Sequence, residues 1–223
     1  MSKSSERKEP IGWSPLHDVR FKITKDLKDL PVETGDIIFR LGNESYYGLP
    51  FSRLVAHLTK SKYSHASLIF LEGDDIYCLE INEQGTQQYR MLDWLDFSHK
   101  NGITVYRIPK LSNEDRDRIY DECKKFLELD LDYAFDFHNP DQTYCTKGCV
   151  TVLKNAGFDI FQCYTPKEIL KPHSYIFFLV INFIFGKLFG ACVPLKQPSY
   201  IVGNCEKGML SSNKIEKIYE YSK

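Results

Sequence analysis

Short apolar runs separated by polar turn residues recur along the chain, and they predict a set of β-strands. Residues 36–40 and 103–108 each form a β-rich run with the length of a single strand. The runs 64–71 and 76–81 flank Glu72-Gly73-Asp74-Asp75, a sequence typical of a turn. The pattern therefore predicts a β-hairpin that follows one strand and precedes another.

Other segments space their apolar residues as an α-helix does. Residues 51–60 carry apolar side chains at helical spacing. Ser112 predicts an N-cap, and Thr165 predicts another, with proline at the first helical position. A helix is also expected from about Cys145 to Ala156, ended by Gly157. The order of these elements predicts an α+β fold, with an antiparallel sheet packed against helices.

Three regions of the chain differ in polarity. Residues 1–30 are polar and charged, and we expect a loose arm there, whereas residues 31–170 form the expected main domain. Residues 171–223 form a C-terminal extension, in which Ser174–Leu195 is the most apolar stretch of the chain. A spanning helix needs about 20 apolar residues, and Lys187 interrupts the stretch. Three interpretations stay open: a core or lid segment, contact with a membrane surface, or self-association.

The composition excludes several classes of protein. The 223 residues include 29 Lys plus Arg and 30 Asp plus Glu, whereas a general nucleic-acid binder has a basic surplus. Hydrophobic residues make up 43%, enough for a core. The seven cysteines are irregularly spaced, which predicts neither a disulfide framework nor a zinc site. The N-terminal sequence lacks an apolar signal run, so we expect a cytoplasmic protein.

One cysteine, Cys145, lies where a predicted helix begins. A thiolate attacks a carbonyl far better than a thiol does, and the N–H groups and dipole of a helix N-terminus favour the anion. Backbone N–H groups there can also hold the oxyanion of a tetrahedral intermediate. The alternative is a buried structural cysteine. The helix-start position makes Cys145 the candidate nucleophile.

A nucleophilic cysteine needs a base, and the base needs an orienting partner. His65 begins the first strand of the predicted hairpin, and Glu80 lies near the end of the second. Antiparallel pairing brings the end of one strand beside the start of the other, so we expect these two side chains to be neighbours. The alternative is a surface histidine and a solvent-facing glutamate.

Three further residues near the candidate nucleophile have open roles. Tyr133 and Tyr144 flank the approach to Cys145 and are candidate substrate-binding residues, with packing in the core as the alternative. Lys147 either assists thiolate formation or is solvated, and we expect it to be solvated.

A series of short motifs resembles a known family. In chain order they are GDIIFR (35–40), TKSKYSHASLIF (59–70), CLEINEQGT (78–86), TVYRI (104–108), LDLDYAFDF (129–137) and YCTKGCVTVLKNAG (144–157). Together they resemble the permuted papain-like amidases of the YiiX/YaeF type, in the NlpC-type superfamily, whose arrangement a poxvirus branch shares. The resemblance covers about residues 31–165.

The resemblance implies a circularly permuted papain-like fold and a cysteine-dependent amidase. The family's histidine corresponds to His65, its acidic partner to Glu80 and its nucleophile to Cys145, an order opposite to that of papain. The chain departs from the family at two points, which leaves the substrate preference open. Thr146-Lys147 follows the nucleophile where the family has Ser-Glu, and Tyr133-Ala134 replaces Tyr-Asp.

The function expected from the sequence is a cysteine hydrolase that cleaves an amide bond, in a peptide or an N-acyl amide, through an acyl-enzyme. Relatives in the superfamily, among them the lecithin retinol acyltransferase branch, act on lipids. A lipid-directed thiol esterase or acyltransferase at a membrane surface is therefore the first alternative, and an inactive binding module is the second. No metal or organic cofactor and no nucleic-acid partner are expected, and the oligomeric state stays open.

Overall fold

The computed structural model describes residues 19–42, 50–82, 84–98, 102–127, 129–131, 141–170, 174–190 and 193–222. Its helices are α1 (Val19–Asp29), α2 (Phe51–Thr59), α3 (Met91–Ser98), α4 (Asn113–Lys125), α5 (Cys145–Asn155), α6 (Pro166–Ile169) and α7 (Ser174–Phe189). Its strands are β1 (Ile37–Arg40), β2 (His65–Glu72), β3 (Asp75–Asn82), β4 (Gly85–Arg90), β5 (Ile103–Arg107), β6 (Asp130–Leu131), β7 (Gln142–Thr143) and β8 (Glu216–Tyr221).

Six strands form one sheet in the order β4-β3-β2-β1-β5-β8, and each neighbouring pair is antiparallel. The predicted hairpin forms from β2 and β3, with Leu68 opposite Leu79. On the other side of β2, Arg40 of β1 pairs with His65. Because cross-strand partners point to the same face of a sheet, Arg40 and His65 share a face.

Helices cover both faces of the sheet. Phe39 and Leu68 belong to the core that contains α4 and α5, whereas Ile38 belongs to the core that contains α1 and α3. The alternation of strand side chains explains how neighbours such as Ile38 and Phe39 enter different cores. This three-layer arrangement buries the central strands on both sides.

Helix α5 approaches β3 closely because Gly148 lacks a side chain. A Cβ atom built at Gly148 would overlap Cδ1 of Ile81 on β3. The close contact therefore favours glycine at this position, because a Cβ atom would force the end of the Ile81 side chain to move. It holds the N-terminus of α5, where Cys145 lies, near the strand that carries Glu80.

The elements predicted from the sequence are confirmed to within about one residue at each end. Both predicted N-caps form, each as part of a capping box: Ser112 pairs with Asp115 at the start of α4, and Thr165 pairs with Glu168 at the start of α6. The mixed helix and antiparallel-sheet architecture agrees with the predicted α+β class.

The structure corrects the interpretation of the chain ends. The expected loose arm, residues 1–30, contains helix α1, whose Ile23 and Leu27 are fully buried under the sheet. Residues 1–18 lie outside the described residues. The C-terminal extension, residues 171–223, supplies β8, which pairs with β5 in the main sheet. Strand β4 and helix α3 were not predicted. Gly85–Arg90 contains no run of apolar residues, and Met91, Trp94 and Leu95 of α3 follow helical spacing over only eight residues.

The apolar stretch Ser174–Leu195 contains α7, a helix of 16 residues. No helix within the described ranges is long and apolar enough to cross a membrane.

Candidate active site

Cys145 is the first residue of α5, and its side chain is partly exposed. The preceding residue, Tyr144, is the N-cap in extended conformation, and its side chain makes no capping hydrogen bond. The first backbone N–H groups of a helix have no intrahelical partner. The thiol therefore lies at a helix terminus whose dipole favours a negative charge.

His65 and Glu80 are neighbours, as the hairpin pairing predicts. Because Leu68 lies opposite Leu79, the next position along brings Ser67 opposite Glu80, and His65 is the diagonal neighbour on the same face. Nε2 of His65 lies 2.7 Å from Oε1 of Glu80, and the contact is an ion pair rather than a linear hydrogen bond. Both side chains are buried, so the surface alternative is wrong for both.

Three residues that the sequence did not single out also bind the Glu80 carboxylate. Arg40 donates to Oε1 at 3.2 Å, while the Ser67 hydroxyl and the Trp94 indole donate to Oε2 at 2.7 and 2.6 Å. The Arg40 guanidinium also lies over the Trp94 ring, 5.8 Å from its centre. The sequence did contain a signal for Arg40. It is a charged residue at the end of an apolar strand, and a buried charge needs a partner.

This network fixes the charges of the pair. Burial alone lowers the pKa of His65, but the Glu80 carboxylate more than offsets this, and the pKa of His65 rises to about 10. Burial alone raises the pKa of Glu80, but His65 and Arg40 lower it to about 2. At neutral pH the site therefore holds a buried carboxylate beside an imidazolium.

His65 also meets Cys145. The Coulomb interaction with Cys145 and a hydrogen bond between the two side chains both help to raise the pKa of His65. Because Nε2 faces Glu80, the other ring nitrogen, Nδ1, is the one left for the sulfur. The three side chains thus form a chain of contacts from carboxylate to imidazole to sulfur, the arrangement that nucleophilic catalysis needs.

Other described cysteines have different surroundings. Burial raises the pKa of Cys78 and Cys149 well above the ordinary value of a thiol, and raises that of Cys123 to about 12. These three thiols stay neutral inside the core, whereas Cys163 and Cys205 are exposed. Among these residues, Cys145 combines partial exposure with a histidine partner.

The remaining candidates have distinct positions. Tyr144 is buried beside Cys145, and its hydroxyl accepts a hydrogen bond from the backbone N–H of Tyr200, so it has a packing role as well as a place next to the site. Tyr133 lies outside the described residues. The expectation that Lys147 is solvated is wrong: it is buried, and its Nζ donates to the carbonyl oxygen of Gln142 at 2.9 Å.

A metal site finds no support in these side chains. Within the part of the chain that the structure describes, no group of three or more His, Cys, Asp or Glu residues could hold a metal ion. Arg40 and His65 already neutralise the Glu80 carboxylate. A cation would therefore meet two positive groups there.

Comparison with known proteins agrees with this fold. Residues 31–175 match a family described as permuted papain-like amidase enzymes, YaeF/YiiX, C92 family. A crystal structure described as metalloprotein YiiX from Escherichia coli O157:H7, DUF1105, shares the fold with a TM-score of 0.72 at 20% identity, covering 86% of this chain and 98% of that one. No curated protein matches the chain in sequence.

Proposed function

Because this chain belongs to the permuted papain-like amidase family of the YaeF/YiiX type, we propose that it cleaves an amide bond through an acyl-enzyme on Cys145. The family supports a cysteine hydrolase in general. The finer assignment rests on one observation: a partly exposed cysteine at a helix N-terminus contacts an imidazole that is paired with a buried carboxylate.

In the first half of the reaction, the Cys145 thiolate attacks the carbonyl carbon of the amide and forms a tetrahedral intermediate. Backbone N–H groups at the start of α5 stabilise its oxyanion. The C–N bond then breaks, the His65 imidazolium gives its proton to the leaving amine, and the acyl group remains on sulfur as a thioester. Glu80 holds the imidazole in position throughout.

In the second half, neutral His65 acts as a general base. It takes a proton from a water molecule, whose oxygen attacks the thioester carbonyl. The C–S bond breaks, the carboxylic acid leaves, and the thiolate–imidazolium pair is restored. An alcohol or amine in place of water would make the same site an acyltransferase.

The test is to trap the thioester in a protein whose exposed thiols, Cys163 and Cys205, are both replaced by serine. Incubation with 4-nitrophenyl acyl esters and 4-nitroanilides, followed by acid quenching, is expected to add one acyl mass that peptide mapping assigns to Cys145. Hydroxylamine should remove it, since thioesters are labile to this nucleophile. Modification of other cysteines alone, or no modification, would contradict the proposal.

A second candidate is a lipid-directed acyl hydrolase or acyltransferase at a membrane surface. One face of α7 favours it: Ile176, Leu179, Val180 and Phe183 follow helical spacing and are 51% to 73% exposed. Lys187 lies on the same helix, near the Phe183 ring. A helix with an exposed apolar face can bury that face in a lipid interface without spanning it.

This candidate predicts that the protein sediments with liposomes of phosphatidylcholine and phosphatidylserine. Phe183→Asp should reduce the bound fraction several-fold, because it adds a charge to the apolar face. Leu30→Asp is the matched control, since Leu30 is an exposed apolar residue outside α7, and it should leave binding unchanged. If wild-type protein stays in the supernatant, or both variants bind equally, the membrane candidate fails.

A further inference from the structure

Arg40 is a buried charge at the end of β1, beside the pair formed by His65 and Glu80. It is the cross-strand partner of His65, so the two side chains share one face of the sheet. The Arg40 side chain is only 2% exposed. A guanidinium buried to this degree is unfavourable unless an anion compensates it, and that anion is Glu80. The charge of Arg40 therefore acts on the candidate triad as well as on the fold.

Arg40 and His65 bind the same oxygen atom of Glu80. Nη2 of Arg40 lies 3.2 Å from Oε1, and Nε2 of His65 lies 2.7 Å from the same atom. The two cationic groups are therefore within about 6 Å of each other, a distance at which charges shift each other's protonation. The donors on the other oxygen, the Ser67 hydroxyl and the Trp94 indole, are neutral. Arg40 is thus the second cation on the carboxylate that holds His65.

The charge of Arg40 opposes that of Glu80 wherever a proton is held near them. Burial has the largest effect on the pKa of His65 and lowers it, Glu80 raises it, and Arg40 lowers it. Cys78, two residues before Glu80 on β3, shows the same opposition at a thiol. Burial raises the pKa of Cys78, Glu80 raises it further, and Arg40 lowers it. Arg40 therefore weakens the hold that Glu80 has on a nearby proton.

The charged groups that act on His65 come from three elements. They are Arg40 of β1, Glu80 of β3 and Cys145 of α5. Helix α3 contributes the Trp94 indole, which is neutral. Further along α5, the Lys147 ammonium is bonded to a backbone carbonyl oxygen, and burial keeps the Cys149 thiol neutral. Arg40 is thus the cation that faces the pair of His65 and Glu80.

The charges of the reactive site balance only when Arg40 is included. The Cys145 thiolate and the Glu80 carboxylate are negative, whereas the His65 imidazolium and the Arg40 guanidinium are positive. Without Arg40 the same state would have a net negative charge in a buried site, which is unfavourable. The imidazolium would be shared between two anions, and the thiolate would be less stable. Arg40 therefore leaves the charge of His65 available to the sulfur.

We propose that Arg40 is a positioning residue of the active site, which neutralises Glu80 and thereby stabilises the thiolate–imidazolium pair of Cys145 and His65. It acts through Glu80 and not on the substrate. The inference rests on the proposed function and adds the residue that sets the pH range in which the site is reactive. The alternative is a purely structural role, in which the guanidinium packs against the Trp94 ring.

The test compares Arg40→Met with the wild type across pH, in protein whose Cys163 and Cys205 are serine. It measures kcat/KM for a 4-nitroanilide and the rate at which iodoacetamide alkylates the peptide that carries Cys145. The thiolate should form at a pH higher by about one unit or more. At a fixed pH below that point, alkylation should therefore be about tenfold slower. The alkaline decline of kcat/KM should also move to higher pH, because the imidazolium then keeps its proton longer.

Two further arginine variants separate charge from packing. Arg40→Lys keeps the positive charge but loses the planar guanidinium, so its pH range should stay close to that of the wild type. Arg90→Met is the matched control, because it removes an arginine from β4 of the same sheet. Arg90 is 61% exposed and paired with Asp75, so solvent screens its charge and both pH profiles should stay unchanged.

The double variant Arg40→Met/Glu80→Gln decides the question even if Arg40→Met fails to fold, because it removes both buried charges together. It should be reactive at a higher pH range than Glu80→Gln alone. Equal pH ranges for these two proteins, or a wild-type pH range in folded Arg40→Met, would overturn the role of Arg40 while acylation of Cys145 still supported the proposed function. No acylated Cys145 with any substrate would overturn the proposed function itself.

Discussion

Cys145→Ala is expected to lower kcat/KM by about 10⁴-fold or more, because removing the nucleophile leaves only binding and oxyanion stabilisation. The fold should survive, since Cys145 is partly exposed at a helix terminus and alanine is the best helix former. The measurement combines steady-state kinetics with a urea unfolding curve.

The control for this variant is Cys149→Ala, one turn further along α5. Cys149 is buried in the core, so the substitution should lower the free energy of unfolding by about 1 kcal/mol while the folded enzyme keeps its rate. Wild-type turnover in Cys145→Ala, with an acyl group trapped on another cysteine, would assign the nucleophile elsewhere. It would also reject the mechanism proposed above.

His65→Ala is expected to lower kcat/KM by about 10³-fold or more, because the ion-pair partner of the thiolate and the general acid disappear together. The loss should not come from unfolding, since Glu80 keeps its contacts with Arg40, Ser67 and Trp94. In the variant, iodoacetamide should also alkylate Cys145 more slowly at neutral pH. An unchanged rate of alkylation would show that His65 does not activate the sulfur.

Glu80→Gln distinguishes orientation from proton transfer. The folded variant should lose less activity than His65→Ala, because Glu80 does not exchange protons with the substrate. Its stability should fall by on the order of 3 kcal/mol, since the buried Arg40 charge loses its carboxylate partner. Activity must therefore be expressed per folded molecule, with the folded fraction taken from unfolding curves.

The pH dependence gives Glu80→Gln a second readout. Glu80 raises the pKa of His65, which is about 10 in the wild type, so the imidazolium is present below that pH and is lost as the pH rises through it. Without the carboxylate this pKa falls, and activity should therefore decline at a lower pH than in the wild type. If activity fell at the same alkaline pH in both proteins, the third member of the site would not be Glu80.

The trapping and kinetic experiments also decide whether the chain is an enzyme or an inactive binding module. A module would show no thioester on Cys145 and no faster alkylation there than at exposed cysteines such as Cys163. The buried pair of His65 and Glu80 favours an enzyme, because burying two charges costs stability and such pairs cluster at functional sites.

The sequence by itself determined several of the elements and the candidate triad. Apolar spacing, turn residues and caps act over a few neighbouring residues, so strands β1 and β5, the β2–β3 hairpin and helices α2, α4, α5 and α6 could be predicted. The hairpin is also a local structure, and its pairing alone brought Glu80 next to His65. The assignment of Cys145 needed a helix start and the resemblance to a family.

Only the tertiary structure decided the surroundings of that triad. Arg40 is 40 residues from Glu80 in the chain, and Tyr200 is 54 residues beyond Thr146, so no local pattern joins either pair. Lys147 looked like a solvated charge but is buried against a carbonyl oxygen. Contacts of this kind depend on how the helices pack on the sheet and on where the C-terminal extension returns. The spacing of apolar residues indicates which face of a helix or strand is buried. It does not indicate which distant residue covers that face.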